Sequence, residues 1–245
     1  MRFSMASAKI WKEVVNAIEA LTDEVVFLAT PDGIGAKAMD ASRVAMVVVN
    51  MPAFAFEEYE CHKEETFAVN LFDLKKIMKR AGAGDKITVS TAMGRLSVVM
   101  ESPRARRSFY TRLLDLESTD FSEPTVDLTV SAKLVPSALK EAIRDASIMG
   151  DYATFKSDGD ALYIGSASAA GSVKTDINED LLEIEVKEPS EATYNLSFLE
   201  DMMRAAAVCS TVKVEFATNL PLKLEYNIIG GGTLTYWLAP WIQTE

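Results

Sequence analysis

Between Lys9 and Leu21 apolar residues recur every three or four positions. Ile10, Val14, Ile18 and Leu21 form one stripe, Trp11 and Val15 widen it, and Lys9, Lys12, Glu13 and Asn16 lie opposite. That spacing predicts a helix with one buried face. The period then shortens. Glu24 to Thr30, Ile34 to Met39 and Val44 to Asn50 read as strands, the first two separated by the turn Pro31-Asp32-Gly33. Met1 to Met5 predicts an edge strand, Phe54 to Tyr59 a short turn of helix, and Glu65 to Asn70 another strand. Helical spacing returns over Leu71 to Ala81, with Leu74, Ile77 and Met78 inward and Lys75, Lys76, Lys79 and Arg80 on the other side. Gly82-Ala83-Gly84-Asp85 stops that helix. Lys86 to Ser90, Arg95 to Glu101 and Arg107 to Leu114 complete a first run of strands.

The same order then recurs. Thr125 to Leu134 predicts a strand and Pro136 to Ile148 a helix entered through proline. Asp151 to Lys156 and Ala161 to Ser166 form a hairpin about Ser157-Asp158-Gly159-Asp160, and strands follow at Val173 to Ile177, Leu182 to Val186 and Ala192 to Asn195. A fourth helix spans Leu196 to Ala207, before strands at Val212 to Ala217, Leu222 to Ile228 and Leu234 to Leu238. Lys12-Glu13 matches Lys140-Glu141, Asp32-Gly33 matches Asp158-Gly159, Val69-x-Leu71 matches Leu196-x-Phe198, and Ile87-x-Val89 matches Val212-x-Val214. One shared offset of about half the chain predicts a repeat. The expected fold is α+β: two repeated domains of antiparallel sheet with two helices each. The domains are placed at 1–116 and 126–245, joined by a connector at 117–125 that is polar and has no apolar period. Phe121 is its one large apolar side chain, so it either packs back onto a domain or receives a partner.

A chain of 245 residues has room for one large domain or two ordinary ones, and 49% apolar with 25% charged residues is a globular balance. No apolar run approaches the ~20 residues that cross a bilayer. Met1-Arg2-Phe3-Ser4-Met5-Ala6 lacks the apolar core of a signal peptide, so an intracellular protein is expected. Two cysteines, Cys61 and Cys209, make no disulfide framework.

Catalytic, metal and cofactor chemistry finds no foothold, so no enzyme is expected. The single histidine, His62, adjoins Cys61, but neighbouring strand positions point to opposite faces. No phosphate loop, paired-thiol motif or nucleophile elbow occurs, and Gly230-Gly231-Gly232 is not followed by a helix. Asp40 fits a turn cap better than a catalytic acid. A net charge of −11 argues against a wholly basic nucleic-acid binder and turns attention to how the charge is distributed. Lys9, Lys12, Lys75, Lys76, Lys79, Arg80, Lys140, Arg144 and Arg204 all fall on the four predicted helices. Each alone reads as part of a solvated face, with Glu13, Glu141 and Asp145 as helix-spaced partners. Gathered on one surface, they suit a polyanion held through its phosphates without sequence readout.

Three motifs carry a resemblance. Met39-Asp40-Ala41-Ser42-Arg43-Val44, Leu113-Leu114-Asp115-Leu116 and Pro221-Leu222-Lys223-Leu224-Glu225-Tyr226, the last followed by Gly232, Leu234, Tyr236, Leu238-Ala239-Pro240 and Ile242, resemble the archaeal and eukaryotic sliding clamps of the proliferating cell nuclear antigen family. The resemblance covers the whole chain in order. It implies a ring of three two-domain subunits around duplex DNA, with no cofactor or metal, that gives polymerase its processivity and needs a separate loader. It also implies an archaeal cytoplasm and nucleoid, or a nucleus if eukaryotic.

Lys12, Lys76, Lys79, Arg80, Arg144 and Arg204 match or neighbour the family's inner basic positions, whereas Glu13 and Glu141 replace bases found in some members. The resemblance places the subunit contact at Arg107, Ser108, Tyr110 and Arg112 on one edge strand and Ser172, Lys174 and Asp176 on the other. Arg80, Arg107 and Arg112 are then expected to meet Glu141 or Asp145 across the junction. Peptide motifs of polymerase, clamp loader, flap endonuclease and ligase are expected at Met39, Val44, Met46, Phe121, Pro124, Pro221, Trp237, Ala239, Pro240 and Ile242. Glu123 and Trp241 depart from the family pattern there. Competing expectations are a checkpoint-type clamp, one member of a heterotrimer, or a monomeric α+β protein that binds an acidic ligand.

Overall fold

The computed structural model describes residues 1–82, 84–116 and 121–242. Two compact units emerge. The first comprises Met1–Ala41, Val47–Phe121 and Ile228–Leu234; the second comprises Ser42–Met46, Ser122–Asn227 and Thr235–Glu245. Of the connector, residues 117–120 lie outside the described residues, Phe121 clusters with the first unit and Ser122 onward with the second.

The first unit carries β1 (Arg2–Met5), α1 (Ala8–Glu19), β2 (Glu24–Thr30), β3 (Gly33–Met39), β4 (Ala45–Pro52), β5 (Glu58–Glu60), β6 (Glu65–Asn70), α2 (Leu71–Met78), β7 (Lys86–Ala92), β8 (Arg95–Ser102) and β9 (Ala105–Arg112). The second carries β10 (Val130–Leu134), α3 (Pro136–Met149), β11 (Tyr152–Ser157), β12 (Leu162–Ser168), β13 (Gly171–Ile177), β14 (Leu181–Val186), β15 (Ser190–Asn195), α4 (Leu196–Met202), β16 (Cys209–Phe216), β17 (Leu222–Ile228) and β18 (Thr233–Leu238). In the first unit the strands run β5-β1-β7-β8-β9 and β4-β3-β2-β6. In the second they run β14-β10-β16-β17-β18 and β13-β12-β11-β15, the same order position for position.

Local sequence explains the shared element ends. Asn70 and Asn195 stand immediately before α2 and α4, and their side-chain oxygens accept the amides of Asp73 at 3.1 Å and Ser197 at 2.9 Å. Each cap satisfies an N–H that the first helical turn leaves open. The caps also correct one sequence match: Val69-Asn70-Leu71 corresponds to Tyr194-Asn195-Leu196, two residues from the expected pairing.

In the first unit Trp11 of α1 meets Phe3 of β1 edge-on at 4.9 Å and Phe27 of β2 at 5.6 Å, so one indole joins both sheets. In the second unit Phe155, which like Phe27 is the fourth residue of its strand, packs on Tyr194 and Phe216. The Tyr194 hydroxyl donates to the Leu220 carbonyl at 2.9 Å, satisfying a buried polar group.

Five expectations change. Met1 to Met5 is not an edge strand: β1 is paired with β7 on one side and β5 on the other. The expected helical turn from Phe54 to Tyr59 is a 3₁₀ turn at Ala53–Ala55 followed by β5, which covers that edge. The helix at Leu71 stops at Met78, before the glycines, and the one at Leu196 stops at Met202 and tightens into a 3₁₀ segment over Met203–Val208. The strand expected from Thr125 begins at Val130.

Candidate nucleic-acid, subunit and partner surfaces

The basic side chains of α1 and α2 fall into two groups. Lys75 is half-buried, with its ammonium 2.5 Å from Glu19 of α1, so it ties the two helices together rather than facing solvent. Lys76 pairs with Asp73 at 3.2 Å and lies 3.9 Å above the exposed Phe72 ring. Lys79 and Arg80 follow α2 and are exposed. Cations there are favoured by the negative end of the helix dipole. Lys9 is exposed and Lys12 half-buried on α1. In the second unit Lys140 is half-buried, Arg144 pairs with Glu141 at 2.7 Å, and Arg204 of the 3₁₀ segment pairs with Asp201 at 2.6 Å.

Two sheet edges carry the residues expected between subunits. Along β9, Arg106, Ser108, Tyr110 and Arg112 are exposed and alternate with half-buried Arg107, Phe109 and Thr111. Arg107 therefore points to the opposite side from its expected companions. It is held by the Asp85 carboxylate and donates to the Arg80 carbonyl at 2.6 Å. Along β13, Ser172, Lys174 and Asp176 share the exposed side, with Lys174 paired to Asp176 at 3.0 Å.

The expected partner anchors separate by unit. In the first, Met39 and Phe121 line an open groove of about 810 Å³ together with Val26, Leu28, Val48 and Leu116. Leu28 and Leu116 escape the sequence pattern, although an outward leucine in β2 at 39% exposure is a signal of a covered or binding face.

In the second unit Met46 and Trp237 are core residues, at 3% and 8% exposure. Trp237 donates from Nε1 to Glu123 at 3.2 Å, and Lys223 lies 5.7 Å from its ring centre. This explains the acid at 123: it satisfies an indole N–H. Lys223 bridges Glu215 at 3.1 Å and Glu225 at 3.6 Å, and Lys213 reaches Glu215 at 2.6 Å. Burial works to raise the Glu215 carboxyl, but the hydrogen bonds and charges of Lys213 and Lys223 outweigh it and hold the group below its ordinary value. Pro124, Pro221, Ala239 and Pro240 are half-buried, and Ile242 is exposed. The Ala239 amide donates to the carbonyl of Val44 at 2.9 Å. The Trp241 ring packs tilted on Tyr152 at 4.6 Å while its amide donates to the Thr193 carbonyl, which holds Trp241 against β11 and β15.

Among the described residues no group of three or more His, Cys, Asp or Glu side chains is placed to hold a metal ion. Burial pushes the Cys209 thiol up to about 12, so it stays protonated. Gly232 turns at φ 96°, and a Cβ there would stand 2.6 Å from the Asn50 carbonyl oxygen. The glycine run is thus a turn through positive φ, closed to a side chain at Gly232. No helix among the described residues is long and apolar enough to cross a membrane.

Comparison with known proteins agrees along the whole length. Residues 1–122 match the family described as proliferating cell nuclear antigen, N-terminal domain, and residues 106–241 match its C-terminal domain. The chain is 34% identical over 244 residues to the DNA polymerase sliding clamp of Thermofilum pendens, covering 98% of each. It is 31% identical over 239 residues to the DNA polymerase sliding clamp of Pyrococcus furiosus, covering 96% of each. Among solved structures it resembles the PCNA of Thermococcus kodakaraensis with a TM-score of 0.93 at 26% identity, over 98% of this chain and 99% of that one. It resembles a chain of the PCNA2–PCNA3 complex of Sulfolobus tokodaii with a TM-score of 0.92 at 27% identity, over the same shares.

Proposed function

This chain belongs to the proliferating cell nuclear antigen family, and on that premise we propose that it is a DNA polymerase sliding clamp. Three chains close, alone or with sister subunits, into a ring around duplex DNA. The observation that carries this reading is the internal repeat: two units of one strand order, each supplying two helices, with cations on α1, α2 and α3 and on the 3₁₀ segment that follows α4. Three such chains give six units of one strand order, which suits a double helix held through its phosphates and not its bases.

The role is mechanical. The ring keeps polymerase at the primer end, and a separate ATP-driven loader opens it. Short peptide motifs of polymerase, loader, nuclease and ligase dock on the groove at Met39 and Phe121. The exposed sides of β9 and β13 are the subunit edges, since an unpaired edge strand is a template for another chain. The setting is inside the cell, on the chromosome.

Primer extension on a singly primed circular template tests the reading, with polymerase and loader from a related archaeon. Adding the chain should lengthen the products made in a single polymerase encounter. Products of unchanged length, with the chain assembled and the loader active, would remove the proposal.

A further inference from the structure

The helix cations are not spread evenly over the repeat. Helical residues of the first unit, counted through Arg80, carry six cations and three carboxylates; those of the second, counted through Val208, carry three cations and four carboxylates. Pairing sharpens the contrast. Arg144 and Arg204 each spend their charge on a carboxylate of their own helical segment, at 2.7 and 2.6 Å. In the first unit, Glu13 is engaged by the Asn16 side chain at 3.0 Å, and Glu19 is taken by Lys75. Among the described residues this leaves Lys9, Lys12, Lys79 and Arg80 without a carboxylate partner in the first unit, against Lys140 in the second.

A phosphate competes poorly for a guanidinium already neutralised three residues away, because binding it must first break that pair or tolerate the carboxylate's repulsion. An unpaired, exposed ammonium releases a counterion at no such cost.

Resting on the clamp reading, we propose that each chain touches the duplex through its first unit alone. Lys9, Lys12, Lys79 and Arg80 carry the phosphate contacts, and the helices of the second unit, with three cations against four carboxylates, face the DNA as a nearly neutral wall. A ring of three such chains then holds three basic patches alternating with three neutral ones. The duplex is tracked at every second unit, with fewer phosphates engaged at once and a shallower dependence on salt than six equal patches would give.

Two paired charge reversals in the full chain test this, each first checked for ring size in solution. Lys79→Glu with Arg80→Glu removes about six contacts per ring and should shorten processive extension ~ten-fold or more near 200 mM salt. Lys140→Glu with Arg144→Glu should change it less than about two-fold. If the first pair disturbs assembly, Lys79→Gln with Arg80→Gln replaces it, and should give a smaller loss that grows with salt. Equal losses from both pairs, a larger loss from the second-unit pair, or no loss from either would overturn the inference while the clamp reading stood. A wild-type ring that never lengthens products removes that reading, and the inference with it.

Discussion

Trp11→Ala is expected to lower the unfolding free energy by about 3–5 kcal/mol, the range for emptying a buried aromatic site. The indole is 1% exposed and touches Phe3 edge-on at 4.9 Å and Phe27 at 5.6 Å, so its loss opens a cavity between two sheets and removes both ring contacts. A second substitution isolates the polar part. Among the described residues the Trp11 Nε1–H has no hydrogen-bond partner although it is buried. That orphaned donor already costs about 1–3 kcal/mol, which Trp11→Phe removes along with part of the ring volume. Trp11→Phe should therefore lose less than about half of what Trp11→Ala loses. Urea unfolding midpoints for the three proteins decide it. Equal losses from Phe and Ala would mean that the N–H is satisfied or that packing alone sets the cost.

Phe121→Ala is expected to weaken a partner's peptide motif about ten-fold or more, since losing a buried aromatic anchor commonly costs ~1–4 kcal/mol. Phe121 is half-buried beside Leu116 and Met39 in the groove, so it has surface left to give to a ligand and little fold to lose. Phe121→Leu should retain most of the affinity. Trp237 is a poor probe by comparison, because it is buried and its indole holds Glu123. Fluorescence anisotropy with a labelled peptide, run beside thermal melts, measures both effects. An unchanged dissociation constant for Phe121→Ala would take this residue out of the partner site.

The repeat was legible because its strongest signals are local. Helical stripes such as Ile10, Val14 and Ile18, and turn residues such as Asp32-Gly33, need no knowledge of tertiary structure. Strand order is not local, so sequence gave no warning that Glu58–Glu60 pairs with β1 and takes away its free edge. The end of α4 was hidden for a different reason. A 3₁₀ turn keeps apolar residues on nearly the same face as an α-helix, so Met203, Ala205 and Val208 continue the stripe after the hydrogen bonding has tightened.

Among the surfaces, exposure separated residues that spacing had grouped. Lys75 shares a helix with Lys76, yet Glu19, fifty-six residues earlier, neutralises it. Arg107 stands next to Arg106 but points the other way, to Asp85. Met46 and Trp237 carry the right chemistry for a binding pocket and are instead packed into the core. Glu123 looked out of place among apolar neighbours until the Trp237 N–H gave it a partner.

The central claim is topological: the chain stays on DNA because it surrounds it, not because it binds tightly. The most direct measurement loads the labelled protein onto a nicked circular plasmid, isolates the complex by gel filtration at about 0.3 M salt, where exposed charges more than ~6 Å apart are largely screened, and then cuts the circle once. A sliding ring remains with the closed circle and is lost within minutes of linearisation, unless the ends are blocked by bound protein. Retention on the linear DNA, or release from the intact circle at that salt, would contradict the account.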